Sequence, residues 1–301
     1  MGVLEKTDTD RSPVSLTGHY TGEVWVRNGL SPSAMSTRTG RNFYRALRPL
    51  DGAANRWLGI SLETMLVQRH RLIDELVLGF VARHPGAQVL ELACGVSDRA
   101  RRLLDEMGDE VTYIETDLPD MVAHKLAVYQ QQGWSGGARH QVAPCNILRE
   151  RGEISLERVV GELDRERPLM VISEGLLNYF SRATVENFLL RLSALLSEFA
   201  ENRYVTEIWP RLPHYPGVAA RKTMIRLIET LTRQEVPLHF TDNEDIARGF
   251  RSAGFAWVRV INPDHYAFTS EVPAMGKPSM FRVVCSGVNE CFDCDPETSA
   301  P

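Results

Sequence analysis

Cysteine is scarce in this chain and odd in number: Cys94, Cys145, Cys285, Cys291 and Cys294 are the five among 301 residues. Three of them stand in apolar stretches, so the pattern reads as reduced core thiols and not as a disulfide framework. Cys291 and Cys294 form one CxxC in the C-terminal tail. Without a second pair, two ligands do not complete a tetrahedral site, and no metal is expected. A long apolar run is also missing, so no membrane-spanning helix is expected. The opening MGVLEKTDTDRS has no apolar h-region, and Lys6 stands where a myristoylation motif after Gly2 needs Ser or Thr. Positive charge is not in surplus: 34 Lys and Arg against 39 Asp and Glu leave a formal charge of −5, which gives no electrostatic reason to bind nucleic-acid phosphates. These absences leave a cytoplasmic globular protein, with no nucleic-acid or membrane partner expected and a homodimer as the compatible assembly.

What is present is an alternation. Residues 14–60 carry turn signals and aromatics without a period that assigns an element. Ser61 caps a helix to about Arg83, with Leu62, Met65, Leu66, Ile73, Leu76, Val77 and Phe80 spaced for one face. His84-Pro85-Gly86 ends it. Strand-like runs then fall at 87–93, 111–115, 140–143, 168–173 and 203–209, with helical stretches at 98–107, 120–132 and 183–200. Short apolar strands alternating with helices predict an α/β fold with a doubly wound, mostly parallel sheet covered on both faces. Phe255–Ile261 and Met280–Val288 have no helix between them and predict an antiparallel C-terminal edge pair. Residues 210–250, with an apolar-faced helix around Thr223–Leu231, interrupt the alternation as an insertion near the active face. The division expected is an N-terminal lid and helical segment (1–83), a sheet domain (84–290) and a tail (291–301).

Chemistry concentrates at the carboxyl ends of the strands, where ligands of open α/β sheets bind. The stretch VLELACGVSDR runs from strand into turn with one glycine, Gly95. Pyrophosphate recognition needs several approachable backbone amides and the GxGxxG spacing, which is missing. A single glycine still lets a ligand lie against the backbone, which suits a phosphate-free nucleoside. Glu91 lies just before this turn. In YIETDLPDM, Glu115 and Asp117 end the second strand, where a carboxylate can accept from both hydroxyls of a ribose; either acid could instead cap the helix before Pro119. Glu174 follows the apolar run VIS and needs a partner, either a ligand ammonium or an arginine.

The runs VLELACGVSDRARRL, YIETDLPDMVAHK and SEGLLNYFS, with HYTGEVWVRNGLS (19–31) and RHRLID (69–74) upstream, resemble the leucine carboxyl methyltransferase family. The likeness is closest to its tetracenomycin-type branch of small-molecule polyketide O-methyltransferases, and it spans roughly residues 15–210. It implies a Rossmann-like class I methyltransferase fold that binds S-adenosyl-L-methionine, a ligand with a ribose and no phosphate. By position, the resemblance places Gly95 at the methionine end of the cofactor, Asp117 at the ribose and Glu174 near the aminoacyl part. It offers Arg69 or Arg71 for the methionine carboxylate. Asn146-Ile147 stand where the family often has Asp-Leu against the adenine. With Glu91 and Glu115 these make the expected cofactor set.

Methyl transfer from a sulfonium is an in-line displacement governed by positioning and water exclusion. A hydroxyl acceptor can require a general base, and His19, Tyr20, Tyr179 and His214 are the candidates for base or pocket, with His239, Trp25, Trp209 and Tyr215 nearby in sequence. The reading is an O-methyltransferase of secondary metabolism acting on a hydroxyl or carboxyl group of a small-molecule partner. Two alternatives stand beside it: a carboxyl methyltransferase for a peptide or protein C-terminus, with 210–250 supplying a groove, and a non-methylating binding protein or cyclase that retains the cofactor site.

Overall fold

The computed structural model describes residues 13–232 and 237–289. The tail CxxC and the first twelve residues, on which two of the readings above rest, lie outside them. Seven strands form one sheet in the order β3-β2-β1-β4-β5-β7-β6: β1 (Gln88–Leu92), β2 (Thr112–Asp117), β3 (His140–Pro144), β4 (Leu169–Ser173), β5 (Asn202–Ile208), β6 (Trp257–Ile261) and β7 (Arg282–Gly287). β1 to β5 pair in parallel, and β7 runs antiparallel to both β5 and β6. The expected antiparallel pair is therefore present, with β7 inserted between β5 and the edge strand β6.

Period-two alternation sorts the strands into two cores. Val89, Tyr113, Met170, Ile172, Val205 and Val283 pack towards α3 (Leu62–Arg83) and α4 (Arg99–Leu104). Leu90, Ile114, Val171, Tyr204 and Val284 pack towards α6 (Leu156–Gly161), α7 (Arg182–Leu196) and α9 (Asn243–Ser252) on the opposite face. Among the described residues the remaining α-helices are α1 (Pro13–Arg27), α2 (Arg38–Leu58), α5 (Pro119–Gln131) and α8 (Val218–Thr232). Ser61 caps α3 as the sequence indicates, its side chain accepting from Thr64 N.

Residues 14–60, which gave no period, are mostly helical. Thr37 caps α2 by accepting from Gly40 N, and Gly59 ends it in the left-handed region. Pro49 sits on the exposed side of α2, where the carbonyl it leaves unbonded can meet water. Within 210–250, α9 is capped by Asp242 and buries Ile246 and Phe250 on the sheet, so this part of the presumed insertion belongs to the helical layer. No helix among the described residues is long and apolar enough to cross a membrane.

Candidate functional site

The parallel strands β1, β2, β4 and β5 bring Gly95, Asp117, Glu174 and Glu207 to one edge of the sheet. The turn after β1 holds both Ala93 and Gly95 at φ 53°. For Ala93 that conformation costs about 1–2 kcal/mol relative to a right-handed one. Gly95 N donates to Asp117 Oδ2 at 2.7 Å, and Leu118 N donates to Oδ1 at 2.7 Å. Among the described residues, and apart from its two chain neighbours, no atom lies within 4 Å of where a Cβ on Gly95 would sit, so the turn faces open space. Burial pushes the Asp117 carboxyl up, against the pull of those two amides.

Beside the turn lies a dense group of buried charges. Glu91 points to the same layer as Val89, so the alternation that buries β1 also buries this carboxylate. Arg99, fully buried, answers it. Its Nη1 donates to Glu91 Oε1 at 2.5 Å, its Nε to Asp74 Oδ1 at 2.7 Å and its Nη2 to Glu174 Oε2 at 2.5 Å. Tyr113 OH donates to the other Glu91 oxygen at 2.6 Å. Arg102 Nη2 reaches Asp74 Oδ2 at 2.6 Å and His70 Nε2 at 3.1 Å, while His70 Nδ1 lies 2.8 Å from Glu174 Oε2. Arg99 Nη2 also lies 2.8 Å from His70 Nδ1. An arginine can only donate, so its contacts at both ring nitrogens favour an imidazole with an unprotonated nitrogen, and burial with the Arg99 charge lowers the His70 pKa in the same direction. Arg69 Nε donates to Glu174 Oε1 at 2.8 Å and its Nη1 to Glu207 Oε1 at 3.2 Å. Gly175 N lies 2.8 and 2.9 Å from the two Glu207 oxygens. Burial alone would raise Glu174, but His70, Arg69 and Arg99 hold it well below the ordinary carboxylate range. Glu207 has less compensation, and burial pushes it up to about 7.

On the other side of the turn, Glu115 is fully buried. It receives Lys125 Nζ at 2.5 Å, His140 Nε2 at 2.8 Å and Tyr129 OH at 3.0 Å. Lys125 and Tyr129 lie one turn apart on α5, so a single helical face supplies two of the partners. Burial would raise Glu115, but Lys125 and His140 outweigh it and hold the carboxylate low.

The structure thus divides the expected cofactor set. Asp117, Gly95, Glu174 and Arg69 meet at the edge. Asn146 and Ile147 follow β3 at the same edge, with Asn146 Oδ1 accepting from Leu148 N at 3.0 Å. Glu91 and Glu115 lie behind the edge, with both oxygens of each occupied by the protein's own donors. Arg71 is half-buried on another face of α3 and takes no part in the cluster. Among the base candidates, His19 is half-buried with Nδ1 3.3 Å from Thr37 Oγ1, and burial lowers its pKa. Tyr20 is buried beside Tyr44, and Tyr179 OH donates to Thr17 Oγ1 at 3.0 Å; burial raises the pKa of both phenols. His214 is exposed. Arg99, His70, Lys125 and Glu207 were not singled out from the sequence. The available signal was a sum: Glu91, Glu115, Glu174 and Glu207 all sit in apolar strands or at their ends and require cations from somewhere.

α1 lies across this edge. A Cβ on Gly22 would come within 2.0 Å of Val96 Cγ2, the residue after Gly95, and the Trp25 ring lies 4.6 Å from that of His70. With the Thr17–Tyr179 bond, α1 touches the turns after both β1 and β4.

A leucine carboxyl methyltransferase family model matches residues 31–193, more than half of the chain. The tetracenomycin polyketide synthesis O-methyltransferase of Streptomyces glaucescens is 33% identical over 124 residues, which cover 41% of this chain and 41% of that protein. The match therefore spans about two fifths of that relative's length. Among solved structures, one of a methyltransferase-like protein from Thermobifida fusca matches with a TM-score of 0.59 at 12% identity, covering 95% of this chain and 99% of that one. A DUF574 family protein from Streptomyces avermitilis matches with a TM-score of 0.58 at 12% identity, covering 90% and 97%. At such identities these two structures report a shared fold.

Proposed function

The chain belongs to the leucine carboxyl methyltransferase family, and on that footing we propose that it transfers a methyl group from S-adenosylmethionine to an oxygen of a small-molecule acceptor. The observation that carries this reading is the turn at Gly95: one glycine facing open space, tied to a carboxylate at the end of β2, with no pyrophosphate cradle. The residues present suit this cofactor. An ionised carboxylate has about four lone-pair sites. Asp117 uses two on backbone amides, which leaves capacity for a pair of vicinal hydroxyls. Arg69 and Glu174 stand as a cation and an anion at the end of β4, already bonded to each other and to Glu207, His70 and Arg99, and what remains of their donor and acceptor capacity suits a zwitterionic amino-acid group. Asn146 and Ile147 provide a polar and an apolar contact for a base.

When bound, S-adenosylmethionine supplies the activated methyl group. The work left to the chain is to hold both reactants in line and to exclude water. α1 sits where it can do the second, through Gly22 against Val96 and Thr17 against Tyr179. For a hydroxyl acceptor, His19 is the candidate best suited to take the proton, since burial keeps its ring neutral, whereas burial makes the Tyr20 and Tyr179 phenolates costly. A carboxylate acceptor needs no base.

The reading is tested by incubating the protein with tritiated S-adenosylmethionine and two acceptor sets, hydroxylated aromatic polyketides and peptides ending in leucine, followed by mass analysis of labelled products. Label on a small-molecule oxygen is expected. Label confined to a peptide carboxyl would contradict the acceptor class, and cofactor binding without transfer to either set would contradict the enzymatic reading.

A further inference from the structure

We infer that the buried cluster at the ends of β1, β4 and β5 holds one carboxylate more than it has cations, and that this surplus, located at Glu207, makes the site prefer the positively charged methyl donor to its neutral demethylated product. The inference rests on the proposed S-adenosylmethionine site and adds to it a residue that sets ligand charge preference.

The contacts identify the acid in excess. The linked group contains Asp74, Glu91, Glu174 and Glu207 against Arg69, Arg99 and Arg102. His70 adds no cation to the count, because arginine donors face both of its ring nitrogens, Arg99 at 2.8 Å and Arg102 at 3.1 Å, and a doubly protonated ring could accept from neither. Asp74 is bonded by two guanidinium groups, Arg99 and Arg102. Glu91 is bonded by Arg99 and a phenol, and Glu174 by Arg69, His70 and Arg99. Glu207 has only the longest of these ion pairs, 3.2 Å to an Arg69 that Glu174 already holds at 2.8 Å. Its other partner is the uncharged amide of Gly175. The burial that raises its pKa reflects the same shortage of compensation. An under-compensated negative charge at the cofactor edge attracts a cation. S-adenosylmethionine carries a sulfonium and an ammonium against one carboxylate, whereas its demethylated product has no net charge. A unit charge acting over about 10 Å at an effective dielectric of about 20 changes an affinity roughly tenfold. Loss of the sulfonium on methyl transfer would therefore weaken binding at the step where product must leave.

Glu207→Gln tests this, because the amide keeps the shape and can still accept from Gly175 N while the charge is removed. Calorimetry at pH 8 compares S-adenosylmethionine, its amine-bearing analogue sinefungin and S-adenosylhomocysteine on the wild type and the variant. The wild type is expected to favour the two cationic ligands, and the variant to lose roughly tenfold of that preference with S-adenosylhomocysteine affinity nearly unchanged. Equal weakening of all three ligands, or an unchanged preference, would overturn the inference and leave Glu207 as a clamp on Gly175 and Arg69. Failure of the wild type to bind any of the three would instead sink the proposed function. Should Glu207→Gln not fold, Glu91→Gln removes one carboxylate from the same cluster and carries the same comparison.

Discussion

The two groups of buried charge that flank the turn at Gly95 solve the same problem differently. Around Glu115 one carboxylate meets one lysine, with Tyr129 and His140 completing its hydrogen bonds, and the whole lies away from the carboxyl ends of the strands. Around Arg99 four carboxylates share three guanidinium groups, and the group reaches the edge at Glu174 and Glu207. Both arise because alternation sends Glu91 and Glu115 into a helical layer. A closed, balanced group joins α5 to β2 and β3 and has no charge left for a ligand. An open group, short of cations, joins α3 and α4 to the sheet and places its excess at the carboxyl edge of the sheet, the side proposed above for the ligand.

Substitutions should separate the two groups. Arg99→Met takes a cation from three carboxylates at once and leaves Glu91 with none, while Asp74 keeps Arg102 and Glu174 keeps Arg69; its cost should exceed the roughly 3–5 kcal/mol of breaking one buried pair, and loss of a cooperative urea transition is the expected result. Lys125→Met strands only Glu115 and should cost about 3–5 kcal/mol by urea unfolding, with the affinity of the folded fraction for S-adenosylmethionine unchanged. If that affinity falls with stability, the balanced group is not separate from the site.

The Lys125→Met deficit should also shrink as pH is lowered from 8 to 5. In the wild type the depressed Glu115 carboxylate contributes stability that is lost only as pH falls through its low folded value. In the variant, burial raises the same group, so protonation relieves the folded state first. Urea titrations at the two pH values check the sign. Gly22→Ala, which puts a methyl against Val96, should cost about 1–3 kcal/mol through overpacking and lower turnover by displacing α1. Unaltered turnover in a folded variant would argue against α1 as the cover.

Much of the sheet could be read in advance because each strand is a short apolar run and each break carries a turn signal. Ser61 marked the start of α3 for the same reason: a cap acts within three residues. Glu115 and Asp117 could be placed at the end of one strand from its pattern, but which acid is bonded inside the protein depends on Lys125, Tyr129 and His140, which the strand does not reveal. α1 and α2 escaped because neither the cap at Thr37 nor the solvent-side position of Pro49 shows as periodicity. The cations escaped because their partners are remote: Glu174 draws on Arg69, 105 residues earlier, and Arg69 on Glu207, 138 residues later. Local pattern reveals that a buried acid needs a cation and does not say which segment delivers it.

The division between acids spent inside the protein and acids kept for a ligand is tested most directly by calorimetry of S-adenosylmethionine with the wild type, Asp117→Asn and Glu115→Gln. Asp117 retains acceptor capacity at the edge. Removing its charge should cost about 1.5–3 kcal/mol, or about ten- to a hundredfold in affinity. Glu115→Gln should leave the affinity of the folded protein within about twofold of wild type while lowering its unfolding midpoint. A larger loss of affinity from Glu115→Gln than from Asp117→Asn would contradict the account and give the ribose contact to the buried acid.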